Sequence, residues 1–152
     1  MSTAKHFIPD GSQQLMAQLI VKDAKKTAAF LADAFGGEKI AEYPGPDGKG
    51  VMWAMVKVGD SRILLADASG FATPTRANIF VYVPDVDAAL GRARERGAKI
   101  LQPAADMFWG DRWALVEDPD GNHYQIATHI EDLTPAEIGQ RMKGAAQAAA
   151  SA

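Results

Sequence analysis

The chain repeats itself once, and no other feature limits its fold as strongly. Leu19-Ile20-Val21-Lys22-Asp23 can be laid on Val81-Tyr82-Val83-Pro84-Asp85. Gly37-Glu38-Lys39-Ile40 falls on Gly97-Ala98-Lys99-Ile100, and Val58-Gly59-Asp60 on Val116-Glu117-Asp118, at offsets of 62, 60 and 58 residues. Offsets that drift so little mark a tandem duplication with small loop deletions. The fold must therefore be built from two copies of one supersecondary unit.

That unit can be read from either half. Leu15 to Val21 is apolar apart from Gln18 and reads as a strand. Asp23 then caps a helix in which Ala24, Ala28, Leu31 and Phe35 recur at helical spacing, with Gly36-Gly37 as its stop. Lys39 to Tyr43 is a short strand, Pro44 to Gly48 a loop, and Val51 to Val58 a third strand that Gly59-Asp60 turns into a fourth, Ser61 to Asp67. Ser69 to Ala77, with Gly70 and Pro74 and no periodicity, is the linker. The order then begins again. Asn78 to Val83 is a strand, and Asp85 or Asp87 caps a helix through Ala88, Ala89, Leu90 and Ala93 to Gly97. Lys99 to Gln102 is a strand and Pro103 to Gly110 a loop. The hairpin from Trp113 to His129 turns at Asp118-Pro119-Asp120-Gly121, where Pro presets φ and Gly admits positive φ.

Each half is thus βαβββ, and the class is α+β. One helix covers one face of a four-stranded sheet, so the other face must bury against something, for which the sister sheet is the natural partner. The expected organisation is an arm at 1–14, a single domain at 15–133 with modules at about 15–68 and 78–130, and a C-terminal segment at 134–152. Thr134-Pro135-Ala136-Glu137 is a capping box that predicts a helix from Pro135 to about Lys143, covering a sheet edge or a partner subunit, before an Ala-rich tail that frays.

Strand alternation sorts the side chains. Ala54, Val56 and Val58 suit the helix side, which leaves Trp53 and Met55 on the opposite face. The same logic turns Met16, Gln18, Asn78, Phe80, Tyr82, Trp113, Leu115 and Gln125 inward. An apolar, aromatic surface with a few amides suits a small-molecule site, although aromatics facing a sheet serve equally as plain core. Trp109, in a Gly-flanked loop, reads as a lid or wall. Arg112 reads as an anchor for a carboxylate or phosphate, or as an ion-pair partner of Asp106 or Asp111. His123 and His129 share a strand face but lie about 20 Å apart, too far to hold one ion. They read as a surface His near the turn and a strand-end His against the capped helix.

A net charge of −3 with interspersed signs offers no face for phosphate backbones and excludes a nucleic-acid binder. Without cysteine there is no disulfide, thiolate nucleophile or thiolate metal site. No signal segment and no run of apolar residues of membrane-spanning length is present, so a cytoplasmic protein with no membrane partner is expected.

Val21-Lys22-Asp23-Ala24 with Ala34-Phe35-Gly36-Gly37, and Glu117-Asp118-Pro119-Asp120-Gly121-Asn122 with the strand after it, resemble the vicinal-oxygen-chelate superfamily of glyoxalases, bleomycin-resistance proteins and extradiol dioxygenases. Met107 to Arg112 and Ile126 to Pro135 are similar in particular to its PhnB-like branch. The resemblance implies two βαβββ modules forming a cupped sheet around a pocket, in a homodimer. It also implies, in the family's enzymes, a divalent metal held by His and Glu from the first and last strands of each module. The matching positions here are Met16, Asn78 and Gln125, with Asp67 the one candidate ligand in the Leu65 to Asp67 stretch. A thioether and two neutral amides cannot replace the hydration of a divalent cation, so no metal and no other cofactor is expected. The expected function is a metal-free pocket for a small, apolar or aromatic ligand lined by Met16, Gln18, Trp53, Asn78, Phe80, Trp109, Arg112, Trp113 and Gln125. The alternatives are a lyase or isomerase of the glyoxalase type, with a non-standard metal set or a neighbouring acid such as Asp67 or Glu117, and an interaction module without a ligand.

Overall fold

The structure, a computed structural model, describes residues 4–69 and 73–152; the first three residues and the middle of the expected linker, residues 70–72, lie outside them. The chain divides into two compact units, Met1–Thr75 and Arg76–Ala152. The first holds β1 (Gln18–Val21), α1 (Ala24–Phe35), β2 (Glu38–Tyr43), β3 (Trp53–Val58) and β4 (Ser61–Asp67), in a sheet of order β1-β4-β3-β2 with β1 parallel to β4. The second repeats it with β5 (Asn78–Tyr82), α2 (Val86–Glu95), β6 (Lys99–Asp106), β7 (Asp111–Glu117) and β8 (His123–His129), in the order β5-β8-β7-β6 with β5 parallel to β8. A helix α3 (Pro135–Ala150) follows.

Local chemistry explains the boundaries. The Asp23 carboxylate accepts from the Lys26 amide at 3.1 Å to start α1, and Gly36 ends it at φ 70°. Asp85, rather than Asp87, caps α2, accepting from the Ala88 amide at 3.0 Å. In each unit the helix covers one sheet face. Ala24, Ala28, Leu31 and Phe35 of α1 are buried, as are Leu19, Val21, Ala54, Val56 and Leu65 of the first sheet. In the second unit Ala89, Leu90 and Ala93 of α2 are buried with Ala114, Val116, Tyr124 and Ile126. Burying a side chain such as Leu65 or Ile126 contributes about 1.5–3 kcal/mol.

The register corrects the alignment of the two hairpins. Ala54 pairs with Leu65 as Ala114 pairs with Ile126, so Val56, not Val58, corresponds to Val116. The cause is the turn. Gly59-Asp60 joins paired Val58 and Ser61, whereas Asp118 and Asn122 flank Pro119-Asp120-Gly121, one residue longer. There the Asp118 amide donates to the Asn122 carbonyl at 2.9 Å, and Gly121, at φ 83°, donates to the Asp118 carbonyl at 3.0 Å.

Several boundaries differ from expectation, among them the start of β7, at Asp111 rather than Trp113. Pairing of β1 begins near Ala17, whose carbonyl accepts from Leu64, and Leu15 is exposed outside the strand. β6 continues through Pro103 to Asp106; it is an edge strand with register shifts on both sides of Gln102, where a missing N–H is tolerated. α3 runs to Ala150 because alanine is the best helix former, and with none of its residues buried it covers no sheet edge. No helix among the described residues is long and apolar enough to cross a membrane.

Candidate ligand-binding face

The face of the second sheet turned away from α2 brings together most of the residues singled out above. Alternation puts Asn78, Phe80 and Tyr82 of β5, Gln125, Ala127 and His129 of β8, and Asp111, Trp113 and Leu115 of β7 on it. The ladder makes them neighbours: Phe80 lies opposite Gln125, Gln125 opposite Leu115, Trp113 opposite Ala127 and Asp111 opposite His129. A chain of hydrogen bonds crosses three strands. Trp113 Nε1 donates to Gln125 Oε1 at 3.2 Å, and Gln125 Nε2 donates to Asn78 Oδ1 at 3.2 Å. Beside it stand two ring pairs, Phe80 with Tyr82 at 5.1 Å and Trp109 with Trp113 at 6.1 Å in an edge-on arrangement. Phe80 is 45% exposed and Tyr82 61%, a large apolar area left uncovered.

One end of the face is organised by a buried carboxylate. Asp111 is 2% exposed; its Oδ2 accepts from Tyr82 OH and from Trp109 Nε1, both at 3.0 Å, and its Oδ1 meets His129 Nδ1 at 2.8 Å. His129 Nε2 lies 3.0 Å from Asp132 Oδ1. The two carboxylates, Asp111 first, hold the His129 imidazolium above its ordinary pKa. The Tyr82 hydroxyl is pushed up by the shelter around it and then by its bond to Asp111. His129 is thus held by two acids rather than by packing on α3. From spacing alone, Asp111 is no more than a pairing partner for Arg112. Its signal is parity: once β7 starts at Asp111, that residue shares a face with Trp113 and sits opposite His129.

Trp109 is set by the Met107 to Asp111 turn. Gly110, at φ 97°, donates to the Met107 carbonyl at 3.1 Å, and its own carbonyl accepts from Ile130 and Glu131, both at 3.0 Å. Arg112 has the other parity. It points to the helix side, where Nε and Nη2 reach Asp87 at 2.7 and 3.0 Å and Nη1 reaches Asp106 at 2.9 Å. Of the two partners expected for it, Asp106 is present, and Asp87 takes the place of Asp111.

Met16, Gln18 and Trp53 belong to the first unit. Met16 is half-buried before β1, Gln18 is exposed on it, and Trp53 lies 5.4 Å from the Tyr43 ring. Gln18 pairs with Leu64 as Phe80 pairs with Gln125, so Leu64 is the first-unit counterpart of Gln125. Asp67 is committed to the fold. Its Oδ1 accepts from the Ala24 amide at the start of α1 and its Oδ2 from the Val51 amide, each at 2.7 Å. Thr128 does the same for α2, its hydroxyl accepting from the Val86 amide at 3.0 Å. Glu117 lies 2.8 Å from His123 Nε2 across the base of the hairpin.

These residues do not fit a divalent cation. The amide oxygens of Asn78 and Gln125 are bound by neutral N–H donors, and no group of three His, Cys, Asp or Glu able to hold an ion occurs among the described residues.

The family model described as Glyoxalase/Bleomycin resistance protein/Dioxygenase superfamily matches residues 13–126. The chain belongs to this superfamily. The solved structure of TnmS3, an antibiotic binding protein from Streptomyces, is 28% identical, with a TM-score of 0.60 over 78% of this chain and 96% of that one. A glyoxalase/bleomycin resistance protein from Streptomyces is 29% identical, with a TM-score of 0.56 over 73% and 96%. An uncharacterized protein of Mycobacterium bovis is 31% identical over 139 residues, 84% of this chain and 91% of the relative. The βαβββ duplication expected from sequence is thus the superfamily's fold.

Proposed function

We propose that the chain is a binding protein rather than a metalloenzyme, taking a small, flat, largely apolar or aromatic molecule on the open face of its second sheet. The observation that carries this reading is the pairing of rings, exposed Phe80 with Tyr82 and half-buried Trp109 with Trp113, around the Trp113-Gln125-Asn78 chain of amide hydrogen bonds. Rings offer stacking area, and the amides offer orientation by exchanging a partner with the ligand. The antibiotic-binding description of TnmS3 supports a small-molecule ligand. A PhnB-like branch and a homodimer in the cytoplasm complete the proposal.

Titration of intrinsic tryptophan fluorescence with a library of aromatic compounds and antibiotics tests it. A saturable change that weakens about five-fold in Trp113→Leu is expected from the loss of a stacking partner. A flat response across the library refutes ligand binding at this face, and stoichiometric metal in the purified protein refutes its metal-free character.

A further inference from the structure

A reading built on rings and amides leaves the His129 imidazole without a task. Its Nδ1 is fixed on Asp111 at 2.8 Å, and Asp111 is fixed in turn by Tyr82 OH and Trp109 Nε1. The buried side of the ring is therefore set by the same carboxylate that positions two of the aromatic side chains. Its other nitrogen, Nε2, meets Asp132, whose side chain is fully exposed. A ring that donates to a carboxylate at each nitrogen carries both hydrogens and a positive charge. The two bonds differ in kind. The one to Asp111 is sheltered, whereas the one to Asp132 is a surface contact between neighbours in sequence that water and salt readily replace.

We propose that His129 is the charged hydrogen-bond donor of this face, and that the ligand it takes is a planar aromatic molecule with an ionised carboxylate or phenolate at its rim. The proposal rests on the aromatic-face reading above. Asp132 marks the place: an oxygen anion already accepts from Nε2 there, and a ligand's oxygen anion substitutes like for like. Displacing an exposed side chain costs little, so the exchange leaves most of a charge-assisted bond to the ligand. The ionisable groups facing His129 are Asp111 from β7 and Asp132 from the segment after β8, with Tyr82 of β5 acting through Asp111.

Anthracene carboxylate and its uncharged carboxamide are the probes, compared on the full chain by fluorescence. Near pH 6 the carboxylate binds about tenfold more tightly than the amide. The gap closes as pH rises through the His129 titration, closes at every pH in His129→Gln, and widens in Asp132→Asn, which lacks the competing carboxylate. Both substitutions lie at exposed positions, and circular dichroism checks their fold. Equal binding of the two probes, or a gap that His129→Gln leaves unchanged, overturns the role of His129 while the aromatic-face reading stands. Failure of both probes to bind overturns the two together.

Discussion

Replacing Asp118 by alanine should cost the second unit a large part of its margin of stability. The Asp118 side chain, 5% exposed, accepts four hydrogen bonds: Oδ1 from the Asp120 and Asn122 amides, both at 2.9 Å, and Oδ2 from Asn122 Nδ2 at 3.2 Å and Tyr124 OH at 3.1 Å. Asn122 and Tyr124 are buried, so three of the four donors lose their acceptor in a place water reaches poorly, whereas the Asp120 amide can turn to solvent. At about 1–3 kcal/mol for each buried donor left unpaired, and with overlap among groups sharing one carboxylate, the expected loss is about 3–4 kcal/mol. That is a large part of the roughly 5–15 kcal/mol of a typical domain. Tyr124→Phe is the calibrating variant. It removes one donor and leaves Asn122 Nδ2 on Oδ2, so it should cost about 1 kcal/mol. Urea denaturation followed by circular dichroism measures both, and hydrogen exchange at the Asp120 and Asn122 amides reports the turn directly. A loss below about 1 kcal/mol in Asp118→Ala, with the turn amides still protected, would refute the view that this carboxylate holds the hairpin.

Gly110→Ala should destabilise by about 2–4 kcal/mol and alter the near-ultraviolet signal of Trp109, because the residue sits at φ 97° and an added Cβ meets the Glu131 carbonyl; an unchanged melting temperature refutes this. Asp67→Ala should lower stability by about 2–3 kcal/mol through the unpaired Ala24 and Val51 amides, with Thr128→Val losing about 1 kcal/mol at the equivalent place, both read by urea denaturation. The raised pKa of His129 means that its contribution to stability is complete below the unfolded value near 6.5 and is lost as pH rises through the folded value. NMR titration should therefore give a His129 midpoint above the unfolded one in the native chain and a lower one in Asp111→Asn; equal midpoints refute the pairing.

Much of the face was legible because strand parity is a short-range rule. Asn78, Phe80, Trp113 and Gln125 follow from alternation alone, and Asp23 and Gly36 bound α1 where their chemistry requires. What escaped depends on contacts that spacing does not encode. Of the two readings of Arg112, the ion pair with Asp106 is present, whereas the anchor rests on a strand that starts at Trp113; with β7 beginning at Asp111, parity turns Arg112 to Asp87, 25 residues earlier. Asp67 resembled a ligand in isolation, and only the return of Val51 and Ala24 to the end of β4 shows where its oxygens go. The shared role of Asp111 for Tyr82, Trp109 and His129 likewise needs three segments brought together.

The helix α3 is secured chiefly at its beginning. Thr134 and Glu137 cap it reciprocally, and both terminal guanidinium nitrogens of Arg141 reach Glu131 at 2.7 Å, while Gly139 and Gly144 lie within it and none of its sixteen residues is buried. Each glycine weakens a helix by about 1 kcal/mol relative to alanine. Its order is therefore a helix–coil equilibrium of its own rather than a share in the cooperative melting of the sheets. On warming it should shorten gradually from Ala150 backward, so that far-ultraviolet ellipticity declines well before the tryptophan environment changes. Acid has the same effect by another route, because protonating Glu131 and Glu137, both held below the usual carboxylate range by Arg141 and by Thr134 respectively, releases the anchored end.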